Sequence, residues 1–206
     1  MDTVLKNIWH TRISTHLADS AALKARIDVE CADAILIAAR AIARSLAAGG
    51  KLMLCGNGGS AADAQHLAGE FVNMLAKQFP RPPMAALALT TDTSCLTAVG
   101  NDLGFEQVFE RQILALGRPG DTLLAISTSG QSENVIRAVR SAVELRIGTI
   151  GLLGASGGRL SSLVDVAILV PSDDVQRIQE AHLTIEHILC DVVERMIHSE
   201  EDRVQM

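Results

Sequence analysis

The chain has 206 residues and a formal charge of −6; it is 48% apolar but carries only four Phe, one Trp and no Tyr. With neither basic patches nor stacking aromatics, it is not expected to bind nucleic acid directly. The length suits one domain whose core is built from Ala, Leu, Ile and Val, a composition fitted to helices packed closely on a parallel sheet.

The N-terminus, Met1-Asp2-Thr3-Val4-Leu5-Lys6, lacks the apolar run of a signal peptide, and no stretch reaches the ~20 apolar residues of a membrane span. A cytoplasmic protein without membrane partners is the expectation. From about residue 4 to 48 the apolar residues Leu23, Ile27, Ala32, Ile35, Ala38, Ile42 and Leu46 recur at helical spacing, until Gly49-Gly50 stops the pattern. Short apolar runs then alternate with helix-length segments: Lys51–Cys55, Met84–Leu89, Thr122–Ser127, Thr149–Leu153 and Val166–Val170. Such alternation predicts a five-stranded parallel sheet with helices on both faces. The chain closes on a long helix over 175–198. Its stripe (Ile178, Leu183, Ile185, Ile188, Leu189, Val192, Val193, Met196) is too broad for packing on one side, so the long terminal helices are expected to make oligomer contacts. Cys31, Cys55, Cys95 and Cys190 are scattered without C-x-x-C spacing and read as reduced thiols.

Two loops stand out. Gly56-Asn57-Gly58-Gly59-Ser60 follows the first predicted strand, and Ser127-Thr128-Ser129-Gly130-Gln131-Ser132 follows the third. A Gly- and hydroxyl-rich loop between strand and helix N-terminus offers N–H and O–H groups to an anion, with the helix dipole adding attraction. Ser and Gly also make ordinary βα turns, and Ser60 suits a helix cap. The second loop, however, supplies four hydroxyls where a cap needs one. Neither loop is followed by Lys-Ser/Thr, and no G-x-G-x-x-G occurs, so a nucleotide is not indicated. A sugar phosphate or similar anion fits better.

The titratable groups follow from helical geometry. His66 and Glu70 are four residues apart on the helix opened by Ser60, hence on one face. On the last helix Gln179 and His187 are eight apart, about 80° around the axis. Each set has a plain alternative: a solvated intrahelical pair for His66 and Glu70, a buried histidine with one hydrogen bond for His187. His182 and Glu186 read as a surface pair, and His10, His16 and His198 as solvated. His66, Glu70, Gln179 and His187 together are a possible divalent-metal set, though Gln is an uncommon zinc ligand.

In this order the motifs Cys55-Gly56-Asn57-Gly58-Gly59-Ser60, His66 with Glu70, Val99-Gly100-Asn101-Asp102, Ala125-Ile126-Ser127-Thr128-Ser129-Gly130, and Arg177-Ile178-Gln179-Glu180 with His187 resemble the sugar isomerase (SIS) family. They are most similar to the bacterial phosphoheptose isomerases, over roughly residues 3–197. The resemblance implies a flavodoxin-like three-layer α/β fold and a single SIS domain over 1–206: N-terminal helices at about 3–48, a core at about 51–171 and a C-terminal helix at about 175–198. It implies conversion of sedoheptulose 7-phosphate to D-glycero-D-manno-heptose 7-phosphate, first step of activated-heptose biosynthesis for cell-surface glycans such as lipopolysaccharide. It also implies a homotetramer with interface active sites and one zinc per subunit.

Carried over by motif, Asn57, Gly58, Gly59 and Ser60 would contact substrate, Ser127, Thr128, Ser129 and Ser132 would hold its phosphate, and Asn101 and Asp102 would meet the sugar. His66, Glu70, Gln179 and His187 would ligate zinc, with Glu70 and Gln179 also touching substrate and Glu70 and His187 as the acid–base pair. Met74 stands where members often have Arg, and Gln176 where some have Asp, which bears on the choice of sugar. Three other readings differ in class or substrate. One is a non-catalytic SIS protein that binds the DnaA replication initiator, a group lacking the equivalents of Glu70 and His187. Another is a sugar-phosphate-sensing regulator, whose DNA-binding domain 206 residues are expected not to accommodate. The third is an isomerase of another sugar phosphate.

Overall fold

The computed structural model describes residues 3–199 of the chain. Two helices come first, α1 (Thr3–Glu30) and α2 (Ala32–Ala47). The single apolar period seen in the sequence is thus interrupted at Cys31, which is itself buried: Leu23 and Ile27 are buried before the break, Ile35, Ala38, Ile42 and Ala43 after it, while Ala32 is exposed. The core then runs β1 (Leu52–Cys55), α3 (Gly59–Val72), β2 (Ala86–Ala88), α4 (Thr93–Asp102), α5 (Glu110–Leu116), β3 (Thr122–Ser127), α6 (Glu133–Glu144), β4 (Gly148–Leu153) and β5 (Val166–Leu169). Helix α7 (Val175–His198) closes the described chain.

All five strands pair in parallel, in the order β2-β1-β3-β4-β5. Alternation along each strand divides the interior into two layers. Leu52, Leu54, Leu124 and Ile126 face a core shared with α2, α3 and α7, whereas Met53, Cys55, Leu123 and Ala125 face α5 and α6. This is the expected three-layer arrangement, and its core is aliphatic: Phe71 is the one aromatic side chain among the largest fully buried residues. The strand order changes direction between β1 and β3, whose residues Cys55 and Ala125 lie opposite each other. Loops leaving the carboxyl ends of such a strand pair diverge and leave a crevice, the usual ligand position in open α/β sheets. Both Ser/Gly loops leave from there. Cys31, Cys55, Cys95 and Cys190 are free thiols, three of them buried. Among the described residues no helix is long and apolar enough to cross a membrane.

Candidate active site

The Gly56–Ser60 loop passes directly into α3. Gly58 occupies the N-cap position at φ 57° with no side-chain cap. Ser60 is the second residue of the helix and is buried against the turn, so the cap expected of it is not made. Asn57 reaches across to the helix that follows the second loop. Its amide exchanges two hydrogen bonds with Asn134 on α6, Asn57 Nδ2 donating at 2.9 Å and Asn134 Nδ2 at 2.8 Å. Asn134 is buried, and its Oδ1 also accepts from the Val135 N–H. Sequence reasoning missed this residue; its one local signal was an amide in the first turn after a hydroxyl-rich loop.

In the second loop Ser127 Oγ accepts from the Gly130 N–H at 3.2 Å and lies 3.5 Å from Ser132 Oγ. Ser129 Oγ accepts from the Gln131 N–H. Ser132 is the N-cap residue of α6 yet makes no side-chain cap, which leaves its hydroxyl available to a ligand. Gly130 sits at φ +62°, and a Cβ there would collide with the Gly157 carbonyl oxygen, so no side chain fits. The loop therefore has a fixed back and a polar front.

Helices α3 and α7 both begin at the carboxyl edge of the sheet and lie side by side. Near their starts Gln179 crosses Gly59 so closely that a Cβ there would stand 2.5 Å from Gln179 Nε2. Seven or eight residues further, His66 Nε2 and His187 Nε2 are 2.8 Å apart, with the rings edge to face at 76°. Glu70 Oε1 lies 3.7 Å from His66 Nε2, an electrostatic contact too long for a hydrogen bond. The four side chains singled out on the two helices thus gather on one seam, next to the loops. His187 is half-buried rather than enclosed, and His66 is exposed. Among the described residues no three His, Cys, Asp or Glu side chains form a closed metal cluster. The donors suit zinc in kind: two imidazoles, a carboxylate and an amide oxygen. The two ring nitrogens, 2.8 Å apart, already converge on one point as a shared metal would require.

Other expectations fare differently. Asn101 and Asp102 end α4 and are exposed, Asn101 Nδ2 donating to Asp102 Oδ1 at 2.7 Å. Among the described residues, no hydrogen bond ties them to the two loops. Met74 lies just past the end of α3, and Gln176 is in the first turn of α7 with its N–H on Asp174 Oδ1. His182 and Glu186 are not a surface pair: both are fully buried. Helix α7 packs against α2, α3 and the sheet, so the face carrying its polar residues is enclosed while Leu183 and Ile188 are left exposed. Burial lowers the His182 imidazole to about 4; the Leu153 main chain, which favours the charged form, offsets this in part without a full hydrogen bond to either ring nitrogen. Burial, and secondarily the Asp63 carboxylate, raises Glu186 to about 8. Both are neutral near pH 7.

The sequence pattern of the SIS domain matches residues 15–154. A phosphoheptose isomerase of Thiobacillus denitrificans is 50% identical over 196 residues, 94% of this chain and 98% of its own length. One from Solidesulfovibrio magneticus is 50% identical over 185 residues, 90% and 89% of the two chains. Among solved structures, the phosphoheptose isomerase of Neisseria gonorrhoeae superposes with a TM-score of 0.84 at 44% identity, covering 90% of this chain and 98% of that one.

Proposed function

The chain belongs to the SIS domain family, and from that membership and its site we infer the reaction and the residues that perform it. It is an aldose–ketose isomerase of phosphoheptoses, interconverting sedoheptulose 7-phosphate and D-glycero-D-manno-heptose 7-phosphate. The observation that carries the assignment of residues is the meeting of His66, Glu70, Gln179 and His187 on the α3–α7 seam, beside two anion-binding loops at the strand switch point.

Moving a proton between C1 and C2 through an enediol requires a base at carbon, an acid at the carbonyl oxygen, and stabilisation of the oxyanion. Glu70 is the base that takes the carbon-bound proton, and His187 is the acid that serves the oxygen. Ser127, Thr128, Ser129 and Ser132 hold the phosphate, with Gly58, Gly59 and the adjoining N–H groups facing it. Anchoring the far end of the sugar in this way fixes the reacting carbons in place, so remote binding energy is used in the chemical step. The exposed carboxyl end of α4 brings Asn101 and Asp102 to the sugar across a subunit contact in a homotetramer, a reading supported by the exposure of both side chains, which hydrogen-bond to each other. Ser60, buried, acts by holding the turn. Zinc would be held by His66, Glu70, Gln179 and His187 and would supply polarisation of the carbonyl, although Glu70 cannot be wholly a ligand and wholly a base.

Glu70→Gln and His187→Gln are each expected to lower kcat at least ~100-fold with circular dichroism and oligomeric mass unchanged. Proton NMR of sedoheptulose 7-phosphate, with metal-free and zinc-loaded protein, reads the aldoheptose anomeric signals directly. Near-normal turnover by both variants would overturn the assignment. Zinc-independent turnover would remove the metal from it.

A further inference from the structure

The α3–α7 seam carries a third contact below the histidine pair, and it involves a residue with no motif around it. Arg81 follows α3 in the chain and folds back under its carboxyl end. Its Nη2 donates to the Glu70 carbonyl at 2.8 Å, and its Nη1 donates to the Phe71 carbonyl at 2.7 Å and, more weakly, to Asn73 and Pro82. Its Nε donates to Glu194 Oε2 on α7 at 3.0 Å. Both charged side chains are wholly removed from solvent.

The spacing of the seam gives this contact its meaning. Gly59 meets Gln179, His66 meets His187, and the end of α3 meets Glu194 through Arg81. From His187 to Glu194 is seven residues, which returns to within about 20° of the same face of α7, two turns along. The residue whose carbonyl Arg81 holds is Glu70 itself. The last carbonyls of a helix have no partners inside it, and here the planar guanidinium fork supplies them while binding the neighbouring helix in the same plane.

A buried ion pair of this kind is weak evidence for stability alone, since apolar residues of similar volume often serve as well. What an apolar pair cannot do is hold the Glu70 and Phe71 carbonyls and Glu194 at once. We propose that Arg81, braced by Glu194, is a positioning residue for the isomerase: it fixes the end of α3 on α7 and so sets Glu70 and His66 opposite His187. The proposal rests on the catalytic reading of Glu70 and His187 given above.

Three variants test it. Arg81→Lys keeps the charge and the reach to Glu194 but loses the fork. The pair Arg81→Met with Glu194→Leu removes both charges and so avoids a lone buried ion, a safeguard should single substitutions fail to fold. Ile113→Val, in the core on the opposite face of the sheet, controls for small losses of stability. Each is measured for kcat and KM with sedoheptulose 7-phosphate beside the parent chain, and for the ring resonances of His66 and His187 by NMR. Positioning predicts that Arg81→Lys and the double variant lose at least ~10-fold in kcat with KM changed less than about twofold, since misplacement by about 1 Å costs up to ~100-fold. Both ring signals shift, and Ile113→Val changes neither quantity. Parental kcat and unmoved ring signals in either Arg81 variant overturn the proposal. A parent chain with no turnover refutes the isomerase reading instead, and the ring signals alone then decide whether Arg81 sets the seam.

Discussion

His182 shows how a single residue ties this fold to pH. The ring is enclosed and held neutral, with its pKa moved from 6.5 to about 4. Because the folded value is below the unfolded one, its contribution to stability is complete above about pH 6.5 and is lost as the pH falls toward 4, as the unfolded chain takes up the proton more readily. The full loss is on the order of 3 kcal/mol. His182→Leu is therefore expected to flatten the fall in Tm between pH 7 and pH 4.5, read by thermal denaturation; an unchanged slope would assign the acid limb to other groups. The sequence concealed this residue for a definite reason. A His and a Glu four apart on a helix read as solvated, and only the packing of α7 on three neighbours turns that pair inward. Arg81 and Asn134 were hidden likewise, for their partners are distant in the chain or spring from a different strand.

At the scale of elements, the hydroxyl loop after β3 depends on a glycine at its back. Gly130 has positive φ and abuts the Gly157 carbonyl, so Gly130→Ala must move either this loop or the one at 154–158. If Ser127, Thr128, Ser129 and Ser132 hold the phosphate, KM should rise at least ~10-fold with a smaller effect on kcat. Steady-state kinetics check this, and an unchanged KM in a folded variant would move the phosphate elsewhere. Both loops were legible from composition, because a strand followed by small and hydroxylated residues is a local pattern. The strands were legible too: Thr122–Ser127 is found as expected, and the others differ by two residues or fewer at either end. The break at Cys31 was not, since both sides of it keep a helical period.

At the scale of the whole molecule, one chain leaves much apolar surface uncovered. Trp9, Ile13 and Leu17 line α1 at exposures of 55%, 57% and 67%, and Leu183 and Ile188 lie open on α7. An apolar groove between α1, α2 and α7, lined by Ile27, Ile35, Leu36, Ile188 and Val192, continues this face. An apolar face of this extent is one that contact with further copies of the chain would cover. If the chain assembles as the homotetramer proposed above, Ile13→Glu with Leu17→Glu is expected to yield smaller species in sedimentation velocity; a mass still near four times 21.9 kDa would place the contact elsewhere. The sequence by itself determined the strands, their α/β alternation, the two Gly- and hydroxyl-rich loops, and the residue types offered for catalysis, because periodicity, glycine punctuation and i,i+4 spacing are properties of neighbouring residues. Tertiary structure decided which strands are adjacent and so where the loops meet, which polar side chains of α7 are buried, and how α3 and α7 are registered so that His66 reaches His187. Those outcomes depend on groups far apart in the chain, and only packing brings them within reach.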